Sequence, residues 1–213
     1  ALADMINRGI EQLSYFQVDN PNAKIIDPTF IGLHAHSPES SGEFSSKMVA
    51  KASWDEKVGV FCRVGDNLSV VEYSDLPTEL AQMTNEEDQL MFNAGSIAIH
   101  MISTSFINKI ATDPDYALPF HRAVKKVAHF DTATGLPVNP DESDAIKLEP
   151  FACAAMAPAD RSVVVETARI EEFAPVKNAT GNGSIITSKQ IQSQRAANWL
   201  SSAGVAIPIN EDG

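Results

Sequence analysis

The sequence predicts an α/β protein with a largely parallel or mixed sheet, and three observations support that prediction. The chain has 213 residues, which suits one large domain or two small ones. Hydrophobic residues make up 44% of it, which is typical of a globular protein and too many for a disordered one. Short β-rich runs alternate with amphipathic segments, and this alternation favours helices packed against a sheet.

The first half of the chain divides into short elements separated by strong turn residues. Asp19-Asn20-Pro21-Asn22 ends the first strand, and Gly65-Asp66-Asn67 joins two later strands as a hairpin. Asp27-Pro28 supplies an N-cap and a first-turn proline for a helix. The expected elements are helices at 1–10, 29–34 and 78–83, strands at 13–18, 47–52, 58–64, 68–73 and 90–93, and a polar loop at 37–46.

The second half contains the clearest helical pattern. Apolar residues recur there at spacings of 3, 4 and 4, at Ile99, Ile102, Phe106 and Ile110. That spacing predicts one face of an α-helix. Residues 119–126 are amphipathic and fit either type of element. A loop is expected at 131–144, a strand at 145–148, a small helix at 151–157, a strand at 161–167, a loop at 178–184, and a final helix to about 203 that Thr187-Ser188-Lys189-Gln190 caps.

The composition excludes several classes of protein. Lys and Arg number 16 and Asp and Glu 28, which gives a net charge of −12 and disfavours nucleic-acid binding. No apolar run approaches the ~18–20 residues that span a membrane, so no membrane partner is expected. Two cysteines, Cys62 and Cys153, make no disulfide scaffold. They favour a reducing compartment, and we expect a cytoplasmic protein.

Common catalytic and metal-binding signatures are missing from the sequence. There is no Gly-x-x-x-x-Gly-Lys-Ser/Thr loop, and Gly181-Asn182-Gly183 is best interpreted as an ordinary loop because Ile186 fills the third glycine position of a dinucleotide fingerprint. His34-Ala35-His36 lacks the further ligands that a zinc site needs. No Gly-x-Ser-x-Gly nucleophile motif is present.

Four polar residues occupy positions that call for an explanation. Asp19 ends a predicted strand, Glu72 follows two valines in an apolar run, Asn93 lies between Phe92 and Ala94, and Lys177 follows a strand and a proline. Each alone is more often a satisfied structural residue. Together they would form an anion and sugar pocket at one edge of a sheet, with Asp19 and Lys177 in one cleft. We also expect Glu72 to be hydrogen-bonded or open to solvent, since an unpaired buried carboxylate is costly.

Six motifs along the chain carry a family resemblance. They are Val18-Asp19-Asn20, Asp27-Pro28-Thr29-Phe30-Ile31-Gly32, Val58-Gly59-Val60-Phe61-Cys62-Arg63, Val70-Val71-Glu72-Tyr73-Ser74-Asp75, Phe92-Asn93-Ala94-Gly95 and Phe173-Ala174-Pro175-Val176-Lys177-Asn178. In this order they resemble the UDP-N-acetylglucosamine pyrophosphorylases, also called UDP-N-acetylhexosamine pyrophosphorylases. The resemblance extends from about Asp4 to Gly213. Relatives that make UDP-glucose share the fold but have different local motifs.

The resemblance implies a Rossmann-like domain with a mixed sheet flanked by helices, of the nucleotide-diphospho-sugar transferase type. It implies uridylyl transfer from UTP to N-acetylglucosamine 1-phosphate with release of pyrophosphate. The family's glycine-rich loop and small C-terminal domain are not in this sequence. We therefore expect residues 1–213 to be a partial catalytic domain, inactive alone. Alternatives are a UTP–glucose-1-phosphate uridylyltransferase and a non-catalytic sugar- or nucleotide-binding module.

The resemblance also assigns roles to individual residues. Asp19 matches a residue that holds Mg²⁺ near the UTP phosphates, Lys147 a lysine that contacts those phosphates, and Lys177 one that binds the sugar phosphate. The implied sugar pocket comprises Gly59, Glu72, Tyr73, Asn93 and Phe151. One position departs from the family pattern, because Cys153 stands where relatives often carry a second aromatic residue.

Overall fold

The structure, a computed structural model, describes residues 1–208, and it is built around a six-stranded mixed sheet. The strands are β1 (Gln12–Tyr15), β2 (Phe44–Ala50), β3 (Val60–Val64), β4 (Asn67–Val71), β5 (Ala94–Ser103), β6 (Phe120–Lys125), β7 (His129–Phe130), β8 (Pro137–Val138), β9 (Ala145–Pro150) and β10 (Val164–Glu166). The helices are α1 (Leu2–Asn7), α2 (Pro28–His36), α3 (Thr78–Ala81), α4 (Thr104–Thr112), α5 (Arg169–Glu172) and α6 (Ile185–Ser202), with a 3₁₀ turn at Ala152–Met156. No helix in this part of the chain is both long and apolar enough to cross a membrane.

The main sheet has the order β10-β2-β5-β3-β4, and β1 also pairs with β5. Only β10 and β2 run parallel, while the remaining neighbours are antiparallel. The expected mixed sheet is confirmed, but it is mainly antiparallel. Locally encoded elements are also confirmed: Asp27 Oδ1 caps α2 by accepting from the amides of Thr29 and Phe30 at 3.1 and 3.4 Å, and Gly65 (φ 62°) turns the β3–β4 hairpin.

The helix predicted through Ile99 and Ile102 is wrong, because residues 94–103 form the central strand β5. Ile99 and Met101 pack in a cluster with Phe30, whereas Ile102 packs on the other face with Phe106. Apolar side chains cover both faces of this strand, which removes the polar positions that would reveal a two-residue period. The helix, α4, begins only at Thr104.

Several boundaries also differ from the sequence prediction. Residues 90–93 do not form a strand: Leu90 makes an isolated β-bridge with Thr84, and a turn follows at 91–92. The strand expected from 47 begins at Phe44. The predicted loop at 131–144 contains the short strand β8. The cap predicted at Thr187 is wrong: Ser184 is the N-cap of α6, and its amide donates to Thr187 Oγ1 at 3.0 Å. Gly183 adopts a left-handed conformation, with φ 69°, just before this cap.

A buried ion cluster joins three distant parts of the chain beneath α2. Lys47 on β2 donates to both carboxylate oxygens of Glu172, at 2.6 and 2.7 Å, and to Asp27 Oδ2 at 2.5 Å. Lys47 and Glu172 are each only 2% exposed. Burial opposes ionisation of Asp27, but the Lys47 hydrogen bond and charge, with two backbone amides, hold the pKa of Asp27 below its usual range. The cluster thereby fixes α5 against the sheet.

Candidate functional site

A cavity of about 210 Å³ lies at one end of the sheet, where the β3–β4 hairpin meets the segments that follow β9 and α5. Five of the predicted site residues line it, namely Gly59, Glu72, Tyr73, Phe151 and Lys177. They come from parts of the sequence more than a hundred residues apart. The structure therefore brings together most of the sugar pocket expected from the sequence.

Gly59 shapes the cavity by allowing a close approach between β3 and β4. A Cβ atom at this position would lie 2.7 Å from Val70 Cγ1 and 3.4 Å from Glu72 Oε1. The Gly59 carbonyl accepts a hydrogen bond from the Ser96 amide at 2.8 Å, which anchors the segment to β5. A larger residue would displace the Val70 side chain and crowd the carboxylate, so the position is suited to glycine.

Glu72 follows the end of β4 and is half-buried at the cavity wall. Burial raises the pKa of its carboxyl group; nearby His121 and Lys177 oppose the shift, and Asp75 adds to it. The side chain opens into the cavity rather than lying among apolar residues alone, as expected. A carboxylate there can accept hydrogen bonds from the hydroxyl groups of a sugar.

Phe151 and Cys153 also line the cavity. The Phe151 ring lies 5.3 Å from the ring of His121. Burial, with a contribution from the charge of Glu72, raises the pKa of the Cys153 thiol to about 11. Cys153 is therefore a neutral, compact group that lines the cavity at the position where the family resemblance implies a second aromatic residue.

Three predicted site residues lie outside the cavity, and Lys147 and Asn93 are two of them. Lys147 is on β9, which pairs with β6 in a two-stranded ribbon separate from the main sheet, and its Nζ lies 2.5 Å from Glu149 Oε1. Its side chain is 61% exposed. Asn93 precedes β5, and its carbonyl accepts from the amides of Lys51 and Gly95, each at 2.9 Å. The cavity lining includes neither residue.

Asp19 lies in the turn after β1, next to the segment that carries Lys177. Its carbonyl accepts from the Val176 amide at 2.8 Å, although Asp19 is not part of the cavity lining. Asp19 Oδ1 is buried and has no hydrogen-bond partner among residues 1–208. That free oxygen fits a ligand of Mg²⁺, which typically takes one or two carboxylates and completes its shell with water and phosphate. No cluster of three or more His, Cys, Asp or Glu suited to a metal occurs in the same residues.

A second, larger cavity of about 840 Å³ adjoins the first. The residues common to both linings form a neck between them: Lys57, Val58, Tyr73, Phe173 and Lys177. Sequence reasoning missed Lys57, although it directly precedes the Val58-Gly59 motif. Lys57 and Lys177 make this neck locally basic, although the chain as a whole is acidic, and their positive charges favour an anionic ligand.

His100 is a further cavity residue that sequence reasoning missed. His100 is 1% exposed, and its Nδ1 lies 2.7 Å from Ser46 Oγ. Its ring stacks on that of Tyr15, with the ring centroids 5.4 Å apart. Burial lowers the pKa of His100 to about 4, so the ring is neutral at pH 7. Nearby, Ala98 has a left-handed φ of 53°, where β5 shifts register against β2. The signal available in the sequence was a lone histidine within an apolar strand.

Comparison with known proteins identifies the family. A sequence model of the UTP–glucose-1-phosphate uridylyltransferase family matches residues 1–198. The chain belongs to this family. Among its relatives, UDP-N-acetylhexosamine pyrophosphorylase-like protein 1 of Xenopus tropicalis is 37% identical over 178 residues, which cover 84% of this chain and 34% of that protein.

Two further comparisons agree. The UDP-N-acetylglucosamine pyrophosphorylase of Saccharomyces cerevisiae is 31% identical over 208 residues, covering 96% of this chain and 43% of the yeast protein. The solved UDP-N-acetylglucosamine pyrophosphorylase of Trypanosoma brucei matches 95% of this chain and 38% of its own, with a TM-score of 0.77 and 27% identity. The chain thus spans about a third to two-fifths of the length of these proteins.

Proposed function

We propose that this protein contributes the sugar-phosphate site of an enzyme that transfers a uridylyl group from UTP to N-acetylglucosamine 1-phosphate. The observation that carries the proposal is the convergence of Gly59, Glu72, Tyr73, Phe151 and Lys177 on one cavity. The names of the relatives support the same reaction. On this proposal residues 1–213 are a partial catalytic domain, whose substrates are UTP and a sugar 1-phosphate.

The reaction is an in-line attack by a phosphate oxygen of the sugar phosphate on the α-phosphorus of UTP. Both reactants are anions, so the site must neutralise charge and hold the two groups in line. Lys177, at the neck between the cavities, would bind the sugar phosphate, with Lys57 on the same neck. Glu72 and Tyr73 would orient the sugar ring. No protein nucleophile is required, since the attacking oxygen belongs to the substrate.

Mg²⁺ would neutralise charge on the UTP phosphates, and Asp19 is the residue we propose to hold it. Its buried, unpartnered Oδ1 supports that role. Two roles implied by the family resemblance remain proposals without support from the cavity. Lys147, on the β6–β9 ribbon, would contact UTP phosphates, and Asn93 would complete the sugar pocket from the start of β5.

Glucose 1-phosphate is the second candidate substrate, because one position of the implied sugar pocket departs from the family pattern. Cys153 lines the cavity where the family resemblance implies a second aromatic residue, and the smaller thiol changes the wall where an acetamido group would pack. A non-catalytic binding module is the remaining alternative. It is in keeping with the fraction of the relatives' length that this chain covers.

Calorimetric titration of the chain with N-acetylglucosamine 1-phosphate and with glucose 1-phosphate tests the proposal. We expect the acetylated sugar phosphate to bind more tightly, and Lys177→Ala to weaken binding because one phosphate contact is lost. Lys189→Ala is the matched control, since Lys189 is an exposed lysine on α6 that lines neither cavity. Equal binding by the Lys177→Ala variant and the wild type would remove Lys177 from the site.

Turnover provides a second test, read as pyrophosphate release from UTP, N-acetylglucosamine 1-phosphate and Mg²⁺. Residues 1–213 alone should show none, because the glycine-rich loop of the family is not among them. In a chain that carries that loop, Lys177→Ala should lower the rate about a hundredfold or more, the scale of losing one preorganised contact to a transition state. Robust turnover by residues 1–213 would show that the UTP site has been misplaced.

A further inference from the structure

Asn20 follows Asp19 in the sequence, and both polar atoms of its side chain form hydrogen bonds with one distant segment. Its Nδ2 donates to the Glu172 carbonyl at 2.8 Å, and its Oδ1 accepts from the Ala174 amide at 3.0 Å. The residue is only 4% exposed and lines neither cavity. The amide side chain thus supplies the two hydrogen bonds that a neighbouring strand would otherwise provide.

The segment bound by Asn20 leads directly to the phosphate-binding candidate. Two residues beyond Ala174, the Val176 amide donates to the Asp19 carbonyl at 2.8 Å, and Lys177 follows. Three hydrogen bonds therefore join residues 19–20 to residues 172–176. The Asp19 carboxylate and the Lys177 ammonium group are carried on two backbones that these bonds hold together.

We propose that Asn20 is a positioning residue that sets the placement of Lys177 relative to Asp19, and hence of the sugar phosphate relative to the metal-bound phosphates of UTP. This inference rests on the proposed function. A displacement of about 1 Å between reacting groups can cost about a hundredfold in rate. The distance between the segments that bear Asp19 and Lys177 therefore matters for the reaction. Apolar packing could not replace Asn20, since it would leave the Glu172 carbonyl and Ala174 amide without their partner.

Asn22 offers a matched control within the same turn. It is 1% exposed, and its Nδ2 donates to the Ile170 carbonyl at 3.0 Å. It therefore joins the same two parts of the chain through one partly buried hydrogen bond, but at a point farther from Lys177 in the sequence. Arg195 supports this point independently by donating to the carbonyls of Asn22 and Glu171, at 3.3 and 2.9 Å.

The experiment compares Asn20→Ala and Asn22→Ala in this chain by thermal unfolding, backbone amide hydrogen exchange and calorimetric titration with N-acetylglucosamine 1-phosphate. Both variants should lower the unfolding temperature, because Asn20→Ala removes two buried hydrogen bonds and Asn22→Ala one that is partly buried. Only Asn20→Ala should accelerate exchange at Ala174 and Val176. It should also weaken sugar-phosphate binding about tenfold or more, whereas Asn22→Ala should change binding less than about threefold.

The positioning role of Asn20 and the binding of sugar phosphate are refuted by different results. Unchanged exchange at Ala174 and Val176 in Asn20→Ala would refute the positioning role whatever the ligand. Equal losses of affinity in the two variants would reduce Asn20 to a stabilising residue and also refute it. A wild-type chain that binds no sugar phosphate would refute the proposed function, and the positioning role would fall with it.

Discussion

Replacing His100 with glutamine should make the free energy of unfolding less dependent on pH below pH 7. His100 is 1% exposed, and burial lowers its pKa from the usual 6.5 to about 4. Between these values the unfolded chain binds a proton that the folded chain does not. Stability is therefore fully present above pH 6.5, falls as the pH drops towards 4, and levels off below that.

The size of the effect follows from the two pKa values. Each tenfold difference in proton affinity corresponds to about 1.4 kcal/mol, so the change from 6.5 to about 4 corresponds to about 3 kcal/mol in total. Between pH 7 and pH 5 the loss of unfolding free energy from this one ring is about 2 kcal/mol. Glutamine can keep a hydrogen bond to Ser46 Oγ, but it does not titrate.

Urea unfolding of wild type and His100→Gln at pH 7, 6 and 5 measures the effect. His34, whose pKa burial also lowers, is present in both proteins and cancels in the comparison, as do the carboxylates with lowered pKa. The wild type should lose about 2 kcal/mol more than the variant over this range. Parallel pH dependence in the two proteins would show that His100 is either protonated when folded or not buried.

Three other substitutions test separate features. Glu172→Gln leaves the buried Lys47 without its main counter-charge and should cost about 3 kcal/mol in urea unfolding; a cost below about 1 kcal/mol would contradict the buried ion cluster. Gly59→Ala places a Cβ 2.7 Å from Val70 Cγ1, so it should cost about 1–2 kcal/mol and weaken sugar-phosphate binding in calorimetry; wild-type affinity would argue against this cavity as the sugar site. Ala98→Gly relieves a left-handed φ of 53° and should raise stability by about 0.5–1 kcal/mol after the entropy cost of glycine, whereas a loss of stability would count against strain at this position.

Local signals in the sequence predicted the parts of the fold that are encoded locally. Asp27-Pro28 and the Gly65 hairpin were identified correctly because their hydrogen bonds or backbone angles involve only neighbouring residues. The central strand β5 was assigned wrongly, since burial on both of its faces is a property of the whole sheet. Helical spacing then arose by chance within an apolar run.

The candidate site shows the same division. The motifs identified Gly59 and Glu72 as pocket residues, the family resemblance added Phe151, and all three line one cavity. Lys147 lies on a ribbon outside it, because the position of β9 depends on its pairing with β6 rather than on its own sequence. Lys57 was missed because an exposed lysine has no sequence pattern of its own, and only tertiary structure places it at the neck between the two cavities.

The hydrogen bonds of Asn20 to Glu172 and Ala174 connect residues 152 and 154 positions apart in the chain. Closing so long a loop costs entropy before any contact compensates for it, so these bonds should form late in folding. The β3–β4 hairpin, whose strands are joined by two residues, faces no such delay. The Glu72 side of the cavity can thus be in place while the Lys177 side is still unfolded, and a nascent chain would position the lysine proposed to bind the sugar phosphate only late in folding.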